Sequence, residues 1–190
     1  MRRVFCYTGR MTKKKAIVII DGSNFYYKLK ELELLHKSLF DYHSFTKHIC
    51  KSYTVVHKYY CIGKIKAKQE DTKAREMMAK QQSLVTRLQK DGFVIQYGFL
   101  LKTDHHFKEK GVDIQMAVDL MRSAYRNEYD VAFLVSSDSD LLPVVKEVQE
   151  IGKTVVYVGF AHQSSFALLK NCRESRLLTK ADLLPFVSQR

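Results

Sequence analysis

Short apolar runs that alternate with helical stretches constrain the fold of this chain more than any other feature of its sequence. The runs are rich in β-branched and aromatic residues and lie at 16–20, 53–60, 93–97, 131–135 and 154–158. Most are continuously apolar, which is typical of parallel strands that are covered on both faces. We therefore predict a single doubly wound three-layer α/β/α domain, with a mainly parallel sheet of about five strands.

Good helix formers at helical spacing fill the segments between these runs. The pattern predicts helices over 25–35, 43–51, 67–90, 112–125 and 140–151, followed by a short helix near 164–169. Within 67–90 we expect an apolar stripe of Met77, Leu84 and Leu88. Within 112–125 we expect an inward face made of Ile114, Ala117, Val118, Met121 and Ala124. The chain beyond the last helix is expected to be loosely structured.

The chain of 190 residues suits one domain. We predict that residues 15–190 form this domain and that residues 1–14 are a flexible basic leader. No apolar run approaches the roughly 18 to 20 residues of a membrane-spanning helix, so no membrane partner is expected. The 4 cysteines are scattered without a CxxC pair. This favours free thiols in a reducing compartment such as the cytoplasm.

Polar residues follow the first and fourth predicted strands, where an open parallel sheet binds its ligands. Asp21 comes directly after the first strand, and Asn24 follows shortly after it. Asp138 and Asp140 follow the fourth strand, and Asp113 lies at the start of the helix over 112–125. If the first and fourth strands are neighbours, these carboxylates share one pocket.

Clustered carboxylates repel one another unless a cation or protons neutralise them. A site of oxygen ligands suits Mg²⁺ or Mn²⁺, and such an ion beside a phosphodiester can activate water and orient the phosphate. Structural roles are the alternatives: Asp21 can start a turn, Asp113 can complement a helix dipole, and Asp140 can cap a helix. Asp119 lies about 240° from Asp113 around a helix, so we expect it at the surface or behind the site.

Three segments carry motifs in a defined order along the chain. They are 19–24 (IIDGSN), then 110–113 (KGVD) with 117–119 (AVD), and then 136–141 (SSDSDL) with 152–155 (GKTV). Together they resemble the NYN domain, a branch of the PIN-like nucleases, and an ordered set is more specific than any single motif. Two positions depart from the family pattern without removing an acidic residue. Ser137 stands where many members have Gly, and Leu141 where many have an aromatic residue.

The resemblance implies a PIN-like Rossmannoid fold and metal-dependent ribonuclease activity, which we expect to be endonucleolytic. By position it implies a catalytic set of one amide and four carboxylates, with all four carboxylates as ligands of Mg²⁺ or Mn²⁺: Asn24, Asp21, Asp113, Asp138 and Asp140. A fold of this type includes inactive members, so activity has to be argued from the site.

Basic residues are concentrated in the first part of the chain. The sequence has 32 Lys and Arg against 20 Asp and Glu, and residues 1–110 hold 23 of the basic and 10 of the acidic residues, a net +13. Such a charge favours a polyanion, and we expect RNA as the partner. Lys66, Lys73 and Lys80 recur at intervals of seven, which predicts a basic stripe on one helix face. Tyr26 is a candidate surface for base stacking.

Two other classes of function are compatible with the sequence. The first is a non-catalytic RNA-binding module that keeps the fold and its basic face. The second is a small-molecule-binding Rossmannoid or a response-type interaction domain that uses its carboxylates only for Mg²⁺. The adjacent His105 and His106 are not expected to form a metal site. The oligomeric state stays open, a homo-oligomer included.

Overall fold

A computed structural model of the chain describes residues 13–35, 38–66, 69–102 and 107–189. Within these ranges the core is a seven-stranded sheet. Its parallel strands are β1 (Lys15–Asp21), β3 (Thr54–Gly63), β4 (Val94–Lys102), β6 (Val131–Val135), β7 (Thr154–Phe160) and β8 (Glu174–Leu178). The remaining strand, β5 (Phe107–Lys110), is antiparallel to β4. A separate antiparallel pair consists of β2 (Ser38–Phe40) and β9 (Val187–Gln189).

Helices cover both faces of this sheet, which confirms the three-layer prediction. One face carries α1 (Gly22–Glu31), α2 (Tyr42–Ile49), α3 (Thr72–Lys90) and α7 (Lys180–Leu183); the other carries α4 (Val112–Tyr125), α5 (Leu142–Glu150) and α6 (Phe166–Asn171). A hydrophobic core lies on each face of the sheet. In β1, Val18 and Ile20 pack in the core on the α1 side, and Ile17 and Ile19 pack in the core on the α4 side. All of these side chains are fully buried. Each stabilises the fold by about 1.5–3 kcal/mol relative to an exposed position.

The strand order β5-β4-β3-β1-β6-β7-β8 places the first and fourth predicted strands side by side. From β1 the chain adds β3 and then β4 on one side of the sheet. It then returns to the other side of β1, where it adds β6, β7 and β8 in turn. The carboxyl ends of β1 and β6 are therefore the topological switch point, where open α/β sheets bind ligands. Ile20 pairs with Val135, so Asp21 and Ser136 emerge next to each other.

The chain after residue 170 is regular, which corrects the expectation of a loosely structured end. β8 pairs with β7, α7 begins with a capping box between Thr179 and Asp182, and β9 pairs with β2. The sequence of β8 lacks an apolar run because this strand lies at the sheet edge, and Leu178 is its only buried residue. Edge strands with polar side chains of this kind are common. The sequence also missed β5 and the extension of β4 to Lys102.

α3 begins later than predicted. The Asp71 carboxylate accepts the Ala74 N–H at 3.0 Å and caps the helix there. The predicted first residues, Ala67 and Lys68, lie outside the described part of the chain. The predicted apolar stripe is correct only toward the end of the helix, because Met77 is 40% exposed.

α4 has the predicted bounds, and its predicted inward face is correct in part: Ala124 is buried, and Ala117 and Met121 are partly buried against the core. Its buried apolar residues are Val112, Met116, Leu120 and Ala124. Ile114 and Val118, which we expected to face inward, are 70% and 48% exposed. Both sets repeat at intervals of four, so helical periodicity does not choose between them.

Among the described cysteines, Cys50 and Cys172 are free thiols, as the sequence predicts, and Cys61 is fully buried. In the part of the chain that the structure describes, no helix is both long and apolar enough to cross a bilayer. Residues 1–12, which include Cys6 and most of the predicted leader, lie outside the described ranges. The domain boundary at residue 15 therefore stays a prediction.

Gly22 is a point of very close approach between α1 and β3. A Cβ atom at this position would lie 2.4 Å from the Tyr60 ring and 2.9 Å from the backbone oxygen of Cys61. That oxygen belongs to β3, and Tyr60 is fully buried, so neither group can give way easily. Glycine therefore allows α1 to begin directly at the end of β1.

Gly22→Ala is expected to lower the free energy of unfolding by about 1–3 kcal/mol, because the extra methyl group overpacks a filled core. Urea-unfolding curves of the variant and the wild type measure this difference. Lys30→Ala, at an exposed position of the same helix, is the control and should change the value by less than about 0.5 kcal/mol. Equal stability of the Gly22→Ala protein and the wild type would contradict the argument.

Tyr42 and Tyr60 form a buried pair beneath α1, with their hydroxyl oxygens 3.3 Å apart. Burial raises the pKa of Tyr42 to about 12 and holds the pKa of Tyr60 well above its usual 10.0. The folded protein therefore keeps both phenols protonated at a pH at which the unfolded chain ionises them.

We expect this pair to make the fold sensitive to alkaline pH. Its contribution to stability is complete below pH 10.0, where tyrosines of the unfolded chain are neutral, and it is lost as the pH rises toward about 12. Urea unfolding across this interval measures the loss. Tyr42→Phe should lose less stability than the wild type over the same interval, and identical losses in the two proteins would count against the assignment.

Candidate functional site

A cleft of about 230 Å³ opens at the switch point of the sheet. Three segments form it: the end of β1 with the start of α1, the turn into α4, and the loop after β6. The lining residues are Asp21, Ser23, Asn24, Gly111, Val112, Asp113 and Asp138. The structure thus brings together all of the predicted catalytic residues except Asp140, which is not part of this lining.

Asp21 is 5% exposed, and each of its carboxylate oxygens accepts a hydrogen bond. Oδ1 accepts the backbone N–H of Asn24 at 2.9 Å, which caps α1, and Oδ2 accepts the Ser136 hydroxyl at 3.0 Å. These two bonds fix the orientation of the carboxylate. Asp21 therefore has the structural role at the start of a turn that the sequence offered as an alternative, and this role coexists with a place in the cleft.

The loop after β6 is tied to the end of β1. Asn24 Oδ1 accepts the Ser137 N–H at 3.2 Å, and Ser136 Oγ accepts the Asp138 N–H at 3.1 Å. Since Ser136 also donates to Asp21, a chain of hydrogen bonds runs from Asp21 through Ser136 to the backbone of Asp138. It sets the relative positions of the two segments that carry these carboxylates.

Asp138, and not Asp140, caps the helical segment that follows β6. Asp138 Oδ1 accepts the Asp140 N–H at 2.9 Å, at the start of a 3₁₀ turn over Ser139–Leu141. α5 then begins at Leu142 without a side-chain cap. The capping role suggested for Asp140 is therefore wrong. Asp140 has an exposed side chain, and its backbone amide orients Asp138.

Gly111 turns the chain from β5 into α4 and brings Asp113 to the cleft. Its φ of +77° lies in the left-handed region, which glycine adopts without steric cost. Asp113 occupies the first turn of α4, where a negative charge interacts favourably with the helix dipole. Asp113 therefore has a structural role at the helix start as well as a place in the cleft.

Of the two positions expected for Asp119, at the surface or behind the site, the surface is wrong, because the side chain is fully buried. Its carboxylate accepts a hydrogen bond from Gln115 Nε2 at 3.1 Å and forms an ion pair with Arg122 on the same helix. It does not line the cleft. As the helical rotation predicts, Asp119 lies on a different side of α4 from Asp113. That side faces the interior of the protein.

Sequence reasoning missed the serines that organise the cleft. Ser23 lines it, and Ser136 links Asp21 to Asp138. Consecutive serines beside an aspartate, directly after a buried strand, were the signal that could have found them. Ser137 Oγ is buried without a hydrogen-bond partner among the described residues. Buried hydroxyls in native proteins usually have a hydrogen-bond partner, either a protein group or an ordered water.

The first turns of α3 lie at the same edge of the sheet as the cleft. Gln81 Nε2 donates to the Gly63 carbonyl at 2.8 Å, and the Ile65 N–H donates to Gln81 Oε1 at 3.0 Å. The middle of α3 is therefore level with the end of β3. The turns before Gln81, which carry the exposed Lys73 and Lys80, stand beyond the carboxyl edge of the sheet.

The other predicted RNA-contacting residues are exposed, but they do not all share this helix. Lys66 lies in the loop before α3, so the seven-residue spacing does not place it on the helix face. Tyr26 is 48% exposed on α1. Tyr59 and Tyr60, which lie in β3, are buried.

The chemistry of the cleft fits a hard divalent cation. Its side-chain donors include three carboxylates, one amide and one hydroxyl. No three His, Cys, Asp or Glu side chains of the described residues lie close enough together to hold a metal by themselves. Mg²⁺ is commonly bound through one or two carboxylates, with waters and substrate phosphates as its other ligands. The donor set therefore fits a hydrated Mg²⁺ or Mn²⁺ ion; His105 and His106 lie outside the described residues.

Comparisons with known proteins agree with this architecture. The sequence matches the family model of the NYN domain over residues 15–178. Among solved structures, a protein of unknown function from Vibrio parahaemolyticus has a TM-score of 0.67 and 22% sequence identity, over 90% of this chain and 96% of that chain. At this identity the likeness shows the fold alone. No curated protein matches the sequence.

Proposed function

The chain belongs to the NYN domain family of the PIN-like nuclease superfamily, and on this premise we propose that it is a divalent-metal-dependent ribonuclease. It hydrolyses phosphodiester bonds within RNA at the cleft between β1, β6 and α4, and it acts in the cytoplasm. The observation that carries the proposal is the convergence of Asp21, Asn24, Asp113 and Asp138 on one cleft. These residues come from three distant parts of the chain and meet at the switch point of the sheet.

In this proposal the cofactor is Mg²⁺ or Mn²⁺, held by Asp21, Asp113 and Asp138. When bound, the ion supplies an activated water at neutral pH and neutralises charge on the phosphate. The hydroxyl of Ser136 orients Asp21, and the amide of Asp140 orients Asp138. Partners that orient metal-binding carboxylates in this way raise metal affinity. Asp140 therefore supports the site through its backbone.

Asn24 is proposed to position the substrate. Its Oδ1 accepts the Ser137 N–H, which fixes the orientation of the amide. The other amide atom, Nδ2, is a donor on a side chain that lines the cleft. Donors of this type bind phosphate oxygens and set the register of a nucleic-acid strand.

The basic first half of α3 is proposed to guide RNA toward the cleft. Lys73 and Lys80 stand beyond the carboxyl edge of the sheet, and Lys66 lies in the loop that leads into this helix. Cations along such a path attract the phosphate backbone independently of sequence. The acidic cleft repels phosphate, and the divalent ion together with this basic surface offsets that repulsion.

Asp138→Asn is expected to reduce RNA cleavage by about 100-fold or more, because it removes a charge from the proposed metal site. Asparagine keeps the Oδ1 atom that accepts the Asp140 N–H, so the loop should keep its structure. The measurement is cleavage of a labelled single-stranded RNA with Mg²⁺, with Mn²⁺ and with EDTA. Thermal unfolding of the same preparations checks the fold.

Glu150→Gln is the matched control for that experiment. It makes the same change of charge at the end of α5, at the opposite edge of the sheet, and should leave cleavage unchanged. Cleavage by the Asp138→Asn protein at the wild-type rate, or wild-type cleavage that persists in EDTA, would refute the assignment.

Replacing Lys66, Lys73 and Lys80 by Gln is expected to weaken RNA binding and to reduce its salt dependence. For single strands, each lost phosphate contact lowers the slope of log affinity against log salt by about 0.7. Fluorescence anisotropy in EDTA, at several salt concentrations, measures the slope. A control with Gln at the exposed Lys47, Lys146 and Lys170 should keep the wild-type slope; equal slopes in both triple variants would exclude this path.

The second candidate function is a non-catalytic RNA-binding module on the same fold. The observation that favours it is the exposed pair Lys73 and Lys80 on α3, because cations on a surface attract the phosphate backbone without a metal ion. A protein of this kind binds RNA equally well with and without EDTA, and it cleaves none. The same cleavage assay therefore distinguishes the two candidates.

A further inference from the structure

α1 lies along the edge of the sheet on which the cleft opens. Its first residue follows Asp21, and its far end contacts the loop after β7. There Lys28 Nζ donates to the side-chain oxygen of Gln163, and Glu31 Oε2 lies 3.1 Å from His162 Nε2. Both ends of α1 are thus attached to segments that leave the carboxyl ends of parallel strands. The solvent-facing side of this helix is therefore part of the surface around the cleft.

Two adjacent tyrosines project from that side of α1. Tyr26 and Tyr27 are 48% and 60% exposed, and neither belongs to a hydrophobic core of the protein. Their ring centroids are 5.5 Å apart with an angle of 75° between the ring planes. This edge-to-face contact is a favourable arrangement of two aromatic rings. It holds the pair together while leaving aromatic surface open to solvent.

Helix geometry places both tyrosines next to the part of α1 that borders the cleft. Tyr26 follows Ser23 by three residues and Tyr27 follows Asn24 by three, and both Ser23 and Asn24 line the cleft. Residues at this spacing are neighbours on one helix face, and side chains lean toward the helix N-terminus. The tyrosine rings therefore lie next to the turn that borders the cleft.

We propose that Tyr26 and Tyr27 form a base-stacking platform, which binds an unpaired base of the RNA whose phosphate enters the cleft. This inference rests on the proposed ribonuclease function and names the part of the substrate that the protein recognises beside the phosphate. In a duplex both faces of each base are covered by its neighbours, so the platform selects single strands and loops. The two tyrosines determine specificity and take no part in breaking the bond.

The test compares a single-stranded RNA with an otherwise identical RNA that lacks its bases. Fluorescence anisotropy in EDTA measures the binding of both RNAs to the wild type and to a Tyr26→Ala/Tyr27→Ala variant. The variant is expected to bind the intact RNA about 5- to 150-fold more weakly, the range for loss of one base–aromatic stack. Its affinity for the abasic RNA should equal that of the wild type.

Two further variants sharpen the comparison. Tyr26→Phe/Tyr27→Phe keeps both rings and is expected to bind each RNA as the wild type does. Tyr125→Ala removes a tyrosine that is 63% exposed at the far end of α4, and it should leave both affinities unchanged. Two results for the Tyr26→Ala/Tyr27→Ala variant would overturn the proposal. One is an equal loss of affinity for the intact and the abasic RNA, and the other is no loss of affinity for either RNA.

Cleavage with Mn²⁺, measured on the same proteins, separates this inference from the function on which it rests. If the platform is wrong and the ribonuclease is right, the wild type cleaves RNA but its binding shows no base-dependent effect of the tyrosines. If the ribonuclease is wrong, the wild type cleaves nothing, while a base-dependent loss of binding in the variant would still support the platform.

Discussion

The hydroxyl of Ser136 makes the interaction on which the rest of the site depends. It donates a hydrogen bond to the Asp21 carboxylate and accepts one from the backbone N–H of Asp138. It therefore links a carboxylate at the end of β1 to the loop after β6. The residues joined by the first of these bonds are 115 positions apart in sequence. Parallel pairing of β1 with β6 is the precondition, because it makes both chain segments emerge side by side. The bond between Asn24 and Ser137 reinforces the same link.

A cleft that gathers carboxylates is electrostatically unfavourable, and the fold offsets part of this cost with helix starts. Asp21 caps α1, Asp138 caps the 3₁₀ turn before α5, and Asp113 lies in the first turn of α4. Helix N-termini carry partial positive charge and favour carboxylates. The structural and functional explanations of these residues are therefore not alternatives. The same bonds that stabilise each helix start hold its carboxylate where a cation can bind.

The sequence predicted the parts of the fold that rest on continuous apolar runs. β1 and β6 are buried on both faces, so each is a continuous apolar run in the sequence. Because these two strands are neighbours in the sheet, Asp21 and Asp138, which follow them, lie close together. The face of α4 was only partly predictable, because the exposed Ile114 and Val118 repeat at the same interval of four as the buried Val112 and Met116. Which set is buried depends on how the helix packs on the sheet. β8 escaped prediction because an edge strand needs little apolar surface.

The site was predictable in its carboxylates and not in its hydrogen bonds. Two strand ends and one helix start located Asp21, Asp138 and Asp113 in one cleft. The capping role, in contrast, moved from Asp140 to Asp138 because it depends on the geometry of a single turn. The role of Ser136 likewise depends on side-chain orientation, which no spacing rule encodes. Tertiary packing decides which donor meets which acceptor. Sequence patterns therefore identify the residues of the site, but they do not identify the hydrogen bonds between them.

The account depends most on a divalent ion between these carboxylates. Anomalous X-ray diffraction from crystals soaked in Mn²⁺ tests this directly, because it locates the ion without reference to activity. The account predicts an anomalous peak in the cleft, in contact with carboxylate oxygens of Asp21, Asp113 or Asp138, and a weaker or absent peak in crystals of the Asp138→Asn protein. An empty cleft at a Mn²⁺ concentration that supports cleavage, or a peak only elsewhere on the surface, would contradict it.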